Sequence, residues 1–573
     1  MLLKGAYAGR LHLAVLAFAL LYAATLASLS LRQHHAFLTQ MCDLGNADQA
    51  VWSAANNDWE MPQTNTADGV PRSRLAVHFN LIFLPVSLLY RLFPRPESLI
   101  LLNTIACVLA GLGLYAFARN RLGGSAWALV APLAFWASPV VHDANLFDFH
   151  EITITTALIV WMAWAFDTGR RRAGWVLLVL ALACKEDVPL VTFMYGVYLF
   201  LSGRENRRTG AAICILSISW FVLLLSIVPL ISGGMTLEKL GAGERFGWLG
   251  NGPADILKNI LLSPDRVLRH IFRPDHIRIA LYLMLAGGIA AIRQWRMLLL
   301  IIPPLAVALL SYDSWMTRIT STYYWITSEA VIIMACVLAC GRAGTGPVRG
   351  RGPLLYLGLA TLIASIVLTP LPYGVFASAA DFPSVSETAD ITVIKDLLPP
   401  DAPLSVQNNL GPHFSQRPEV AYFPVNEKKA DYVLLHLRYL GGPDAGFSAH
   451  TDPQMLFALS PPRLYESAKR LLTSPQWCLE YQNDGFYLFR RSARAAAGGA
   501  EAKKIAHLER DYLVLLNQCQ RGAGRSTLAN LATGDVKSWG HAIGKMMERL
   551  RRPAVSGRFE QPQADLRAPD RSR

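Results

Sequence analysis

The chain has 573 residues, of which 53% are hydrophobic and 17% charged, with a formal net charge of +13. Charged residues make up about a quarter of an ordinary soluble domain, so the composition excludes that class. The positive charge falls largely in arginine clusters between apolar runs, which reads as membrane topology and gives no reason to expect a nucleic-acid partner.

Lys4 and Arg10 precede an apolar run, Leu11–Leu31. The run is longer than the roughly 7–15 residues of a signal-peptide core, so it reads as a membrane anchor with the N-terminus inside. The next stretch, MCDLGNADQAVW at 41–52, then emerges outside with Asp43 and Asp48. Residues 32–98 read as one long external loop with interfacial helices at 47–56 and 78–93. The second of these, HFNLIFLPVSLLYRL at 78–92, is apolar enough to count as a span. It is short, contains Pro85 and ends in Arg91 and Arg95, and counting it would invert every later loop.

Further spans are expected at 99–118, 125–141, 152–168, 173–187, 188–203, 209–231, 277–292, 297–310, 322–341 and 352–370. Most have roughly the length needed to cross a bilayer. Five of them end in arginine clusters: Arg119 and Arg121; Arg170, Arg171 and Arg172; Arg204, Arg207 and Arg208; Arg293 and Arg296; Arg342, Arg349 and Arg351. Placing these inside gives a mainly α, polytopic bundle of about eleven spans in the plasma (inner) membrane, with an extracytoplasmic C-terminus. The bundle should occupy residues 1–372.

Residues 373–492 turn polar. Short strand-like runs (Leu404–Gln407, Val420–Phe423, Tyr432–Leu435, Gly485–Phe489) alternate with helical stretches near 384–398 and 453–471. This pattern predicts a small α/β domain. Residues 493–573 read as a basic helical extension, with helices at 497–521 and near 536–551 and a tail of disordered composition.

On this topology four polar clusters share the outer face. They are Asp43 with Asp48; Asn145, Asp148, His150 and Glu151 in NLFDFHE; Lys185, Glu186 and Asp187 in CKEDVP; and Tyr312, Asp313, Arg318, Tyr323 and Tyr324. His78 and Arg245 lie in the loops between them. Solvation at the headgroup level is the plain account of Asp48 and Glu151, and an ion pair with Asp148 or Asp187 is the plain account of Lys185. Yet the CKED charges run directly into apolar sequence, where ionisable groups are costly unless paired or lining a wet cavity. A cavity of carboxylates and cations suits a phosphate-bearing, lipid-linked substrate: carboxylates act as general bases or hold a divalent metal, and Lys or Arg hold phosphate. Asp43, Asp148 and His150 are the candidate metal ligands, for magnesium or manganese. HExxH and GxSxG patterns are absent, so zinc peptidase and serine hydrolase chemistry lack support.

The order CDLGNADQAVW, AVHFNLIFLPVSLLYRLFP, ANLFDFHEIT, CKEDVPL, GERFGWLG, SVQNNLGPHFSQRPEVAYFP and ADYVLLHLRYL resembles the domain-of-unknown-function 2079 family of membrane proteins. That family is distantly similar to polyprenyl-phosphate-dependent glycosyltransferases of the GT-C class. The resemblance implies an essential aspartate at Asp43, a polar residue opening a second interfacial helix at His78, an acidic residue at Asp148 and a lysine at Lys185. Two features depart from the GT-C pattern: Asp43 is followed by Leu44 and Gly45 with no second acid, and TYYW at 322–325 lacks a histidine.

The expected activity is transfer of a sugar from a polyprenyl-phosphate donor on the outer face. Asp43 would act as base, with Lys185 and His78 or Arg245 meeting the phosphate. Asp148, His150, Glu186 and Tyr323 would line the substrate, and Arg245 would sit on a closing loop. The alternative is a non-catalytic binding or transport protein on the same scaffold.

Overall fold

The computed structural model describes residues 2–66, 69–232, 243–250, 253–312, 314–319, 322–341, 348–374, 389–438, 458–492 and 503–518. Every expected span falls on helix. Four helical runs have the length and composition to cross a membrane: Gly9–His35, Pro96–Arg121, Arg204–Ile231 and the interrupted run His276–Leu310. The others are shorter, among them Glu151–Asp167, Arg171–Leu182, Val188–Ser202, Ile326–Ala339 and Gly352–Leu368.

Local chemistry sets many of these boundaries. Pro96 opens its helix at a position where the missing N–H costs nothing, and Arg119 and Arg121 close it against the negative end of the helix dipole. The expected span at 125–141 is broken at Ser138, where the backbone turns extended before the helix Pro139–Leu146. The run 276–310 is interrupted at Gly287, whose φ of 143° excludes most side chains, and again at Gln294. It is a hairpin: His270 Nε2 meets the Ser311 carbonyl at 3.1 Å at one end, and Gln294 Nε2 donates to the Leu338 carbonyl at 3.4 Å at the other.

Arginine-bearing ends of three expected spans lie near the 119–127 segment. Arg121 pairs with Asp167, Asn120 donates to the same carboxylate at 2.7 Å, and Arg351 lies over the Trp127 ring. The polar clusters gather at the opposite end. The segment 78–93 is not a span: its helix, Phe83–Tyr90, has eight residues, about 12 Å against a hydrocarbon core of about 30 Å. It packs Phe83, Val86 and Tyr90 against Ala47, Val51 and Ala54 of the helix Asn46–Ala55. Leu88, Leu89, Leu92 and Phe93 remain exposed, as an interfacial helix requires.

Among its described residues the C-terminal domain contains five strands: β1 (Leu404–Val406), β2 (Val420–Tyr422), β3 (Tyr432–His436), β4 (Trp477–Asn483) and β5 (Phe486–Arg491), in the order β2-β1-β3-β5-β4. β1 pairs parallel with β2 and β3, and the β4–β5 hairpin adds antiparallel. The sequence reading missed β4, whose residues are mostly half-exposed polar ones on an edge.

Alternate residues of β3 face opposite sides. Val433 and Leu435 pack with Leu464 and Leu471 of the helix Pro461–Thr473 and with Leu508 and Leu515 of the helix at 503–518. Leu434 packs with Val406, Leu488, Phe37 and Met41. The second face of the sheet therefore rests on the chain leaving the first span, directly before Asp43. The helix expected near 536–551 and the tail lie outside the described residues.

Candidate functional site

Asp43 sits in a five-residue π-helical turn, Met41–Gly45, between the first span and the helix Asn46–Ala55. Segments of this kind are rare and recur at functional sites. Its Oδ1 lies 3.2 Å from His150 Nε2. The His150 ring stacks on Tyr323 with centroids 3.6 Å apart, and Phe147 packs against both rings. Tyr323 Oη is 3.4 Å from Tyr324 Oη. His150 is 8% exposed, and its Nδ1 has no hydrogen-bond partner among the described residues.

Asp148 Oδ2 accepts the Gln40 and Leu44 N–H groups at 2.8 and 3.4 Å. Burial raises its carboxyl well above the usual range, the Asp43 charge adds to the rise, and the two amides oppose it. Asp148 thus holds the Asp43 turn, a more specific job than lining the substrate.

The CKED segment forms the turn between the helices Arg171–Leu182 and Val188–Ser202. Lys185 Nζ lies 3.3 Å from Glu151 Oε1. This corrects the expected partners, Asp148 or Asp187. Glu151 and Asp48 are also not solvated at a headgroup level, being 2% and 0% exposed. Glu186 accepts from the Phe79 N–H at 3.2 Å and meets His78 Nδ1 at 3.0 Å, so His78 is tied to the CKED turn. Asn80 Nδ2 donates to the Cys184 carbonyl at 2.6 Å and completes that junction.

A further cation went unread in the sequence. Arg74, on the short helix Arg74–Val77, is 8% exposed. It donates through Nε to Asn80 Oδ1 at 2.8 Å and through Nη1 to Gln63 Oε1 at 2.9 Å. Burial lowers its pKa, while Glu151, Glu186 and Asp43 act in the other direction. Its sequence context, SRLAVHF, gives no sign of burial. The only available signal was an arginine close before His78.

Asp48 is buried against the C-terminal domain, accepting from Tyr90 and from Ser415 Oγ, the latter at 2.6 Å. Burial pushes its carboxyl up to about 7 against the opposing hydrogen bonds from Ser415 and Tyr90.

A family model described as predicted membrane protein (DUF2079) matches residues 33–453. The chain belongs to this family. It is a multi-pass membrane protein, mainly α, with a small C-terminal α/β domain. Two crystal structures of ArnT from Cupriavidus metallidurans, one bound to undecaprenyl phosphate and one apo, match at 14% identity over 84% of this chain and 99% of theirs, with TM-scores of 0.46 and 0.35. Comparison with curated proteins finds no match.

Several motifs that carried the resemblance make paired contacts: Asp43 meets His150, which stacks on Tyr323; Asp148 binds the Asp43 turn; Lys185 pairs with Glu151, the neighbour of His150; and Glu186 pairs with His78. Arg245 is held through its backbone. Its carbonyl accepts the Tyr312 N–H at 2.8 Å, and Trp248 of the same loop donates to the Leu310 carbonyl at 2.8 Å. The loop is thereby fastened to the end of the helix Ile302–Leu310.

The candidate metal ligands fit a cation poorly. Asp43 Oδ1 is engaged by His150, Asp148 Oδ2 by two backbone amides, and among the described residues no group of three or more His, Cys, Asp and Glu is arranged to hold a metal.

Proposed function

We propose that this protein is a membrane glycosyltransferase, moving a sugar from a polyprenyl-phosphate donor to an acceptor hydroxyl on the outer face, with the N-terminus cytoplasmic and the sheet domain extracytoplasmic. The observation that carries the reading is the carboxylate of Asp43, held by His150, beside buried cations. Lys185 is joined to this point through Glu151, the neighbour of His150, and Arg74 feels Asp43 and Glu151 directly.

In this mechanism Asp43 accepts the acceptor hydroxyl's proton as its oxygen attacks the anomeric carbon. The new C–O bond forms as the sugar–phosphate C–O bond breaks, and the electron pair leaves with the lipid phosphate. Lys185 and Arg74, with His78, meet the charge that develops there. His150 orients Asp43, Tyr323 supports His150 from the ring face, and Asp148 keeps the turn in register. Arg74 joins the cations expected to meet the phosphate.

The test is mass spectrometry of lipids that co-purify with the wild type and with Asp43→Asn from native membranes. Accumulation of a polyprenyl-phosphate sugar on the variant is expected. Absence of such a lipid from both proteins would overturn the donor assignment.

A transport reading is favoured by one feature, the Lys185–Glu151 pair with a buried glutamate and a half-buried lysine, because charges at membrane depth also serve ion pathways. It requires Asp148 and Lys185 to be reached alternately from both sides. Side-specific labelling of cysteines placed at these positions would reveal that.

A further inference from the structure

The turn that presents Asp43 begins without a cap of its own. Gln40, at its N-terminal boundary, has extended backbone and makes no side-chain capping bond. The first amides of a helix lack intrahelical acceptors, and buried amides must find partners. All five amides of Met41–Gly45 have one. Asp43 and Gly45 donate to the Gln40 carbonyl at 3.3 and 3.1 Å, and Leu44 donates to Asp148 Oδ2 at 3.4 Å. The two leading amides go to a residue more than 360 positions away: Met41 N–H donates to the Asn408 carbonyl at 2.7 Å, and Cys42 N–H to Asn408 Oδ1 at 3.2 Å. Asn408 Nδ2 then donates to Gln40 Oε1 at 3.2 Å and closes the arrangement.

We propose that Asn408 is a positioning residue of the site: it caps, from the C-terminal domain, the turn that carries Asp43, so that the external domain completes the active site. Asparagine is among the strongest N-cap residues because its short side-chain oxygen reaches exposed helix amides. Here it does so in trans, and its backbone carbonyl takes the neighbouring amide.

The surrounding packing keeps Asn408 at this distance. It is 1% exposed, and a Cβ added to Gly411 would lie 2.4 Å from Met41 Cβ, so only glycine permits the approach. Docking of the segment does not hang on Asn408 alone. Gln49 Nε2 donates to the Arg417 carbonyl at 3.1 Å, Thr64 Oγ1 to the Val420 carbonyl at 2.7 Å, and Asn409 Nδ2 to the Phe37 carbonyl at 3.2 Å. Removing the Asn408 side chain should therefore release the Cys42 amide, loosening the turn, and leave the domain in place. The catalytic meaning of this cap rests on Asp43 as the base; the cap itself does not.

Hydrogen–deuterium exchange on the full-length protein in detergent separates the two. Asn408→Ala should speed exchange in 41–45 about fivefold, the change produced by losing a cap worth ~1 kcal/mol. Peptides covering 62–66 and 411–420 should exchange as in the wild type. Asn408→Asp, which keeps an acceptor for Cys42, should restore most of the protection, and Ser415→Ala should leave 41–45 unchanged. Unaltered exchange in 41–45 of Asn408→Ala would overturn the proposal. So would a rise of equal size across 411–420, or failure of Asn408→Asp to restore protection. Donor accumulation on Asp43→Asn tests the transferase reading separately, and its failure would leave these results standing.

Discussion

Asp43 and His150, 107 residues apart in the chain, meet at 3.2 Å at the polar end of the bundle. One belongs to the turn after the first span and the other to the residue that precedes the helix Glu151–Asp167. The pair is bracketed by Tyr323 on the ring face and by Asp148 on the turn.

With Asp43 as the base, Asp43→Asn should lower turnover by about 10²–10⁴-fold, the range of general-base contributions, while the donor stays bound. Single-turnover assays in native membranes, read beside the co-purified lipid, check this. A variant that retains near-wild-type turnover would remove Asp43 from the chemistry.

Tyr323 should matter through its ring more than its hydroxyl. An aromatic contact of this kind is worth about 0.5–1.5 kcal/mol. Tyr323→Leu should then slow turnover by roughly threefold to tenfold, and Tyr323→Phe should stay close to the wild type. Equal loss in both variants would point to the hydroxyl.

The Lys185–Glu151 pair has side chains 16% and 3% exposed. Breaking such a pair from one side strands the partner's charge and costs about 3–5 kcal/mol. Lys185→Met should lower the melting temperature sharply, and adding Glu151→Gln should recover much of the loss because the two sites couple. Additive losses in the double variant would refute a direct pair.

Asp48 predicts a pH dependence of stability. Its folded pKa is raised from the ordinary ~4 to about 7. Between those values the folded protein holds a proton that the unfolded chain has released, so stability falls as pH rises. The contribution is complete below the ordinary carboxyl range and lost as pH passes about 7. Melting temperatures between pH 5 and 8 should decline in the wild type, and Asp48→Asn should flatten the slope. A slope that survives in Asp48→Asn would assign it to another group.

The linear sequence was enough for the helices. Apolar run length and the arginine clusters mark out their ends, because both follow from the cost of placing polar groups in lipid. It was enough, too, for the shortness of the helix within 78–93, since Pro85, Arg91 and Arg95 leave too little apolar length for a span. The local spacing of CDLGN, FDFHE and CKED also marked where polar chemistry would concentrate.

Tertiary structure alone decided the partnerships. Lys185 faces Glu151, and not the nearer Asp187, because the helix before CKED, Arg171–Leu182, packs along the helix Glu151–Asp167 and brings the two residues together. Arg74 is buried because the segment after the first span folds back over Asn80 and Gln63. Asn408 reaches the Asp43 turn because one face of the sheet packs on Phe37 and Met41. Each of these contacts joins groups whose separation along the chain carries no information about their distance in space. Local propensity cannot encode them; the packing of the sheet domain and the bundle around one short turn does.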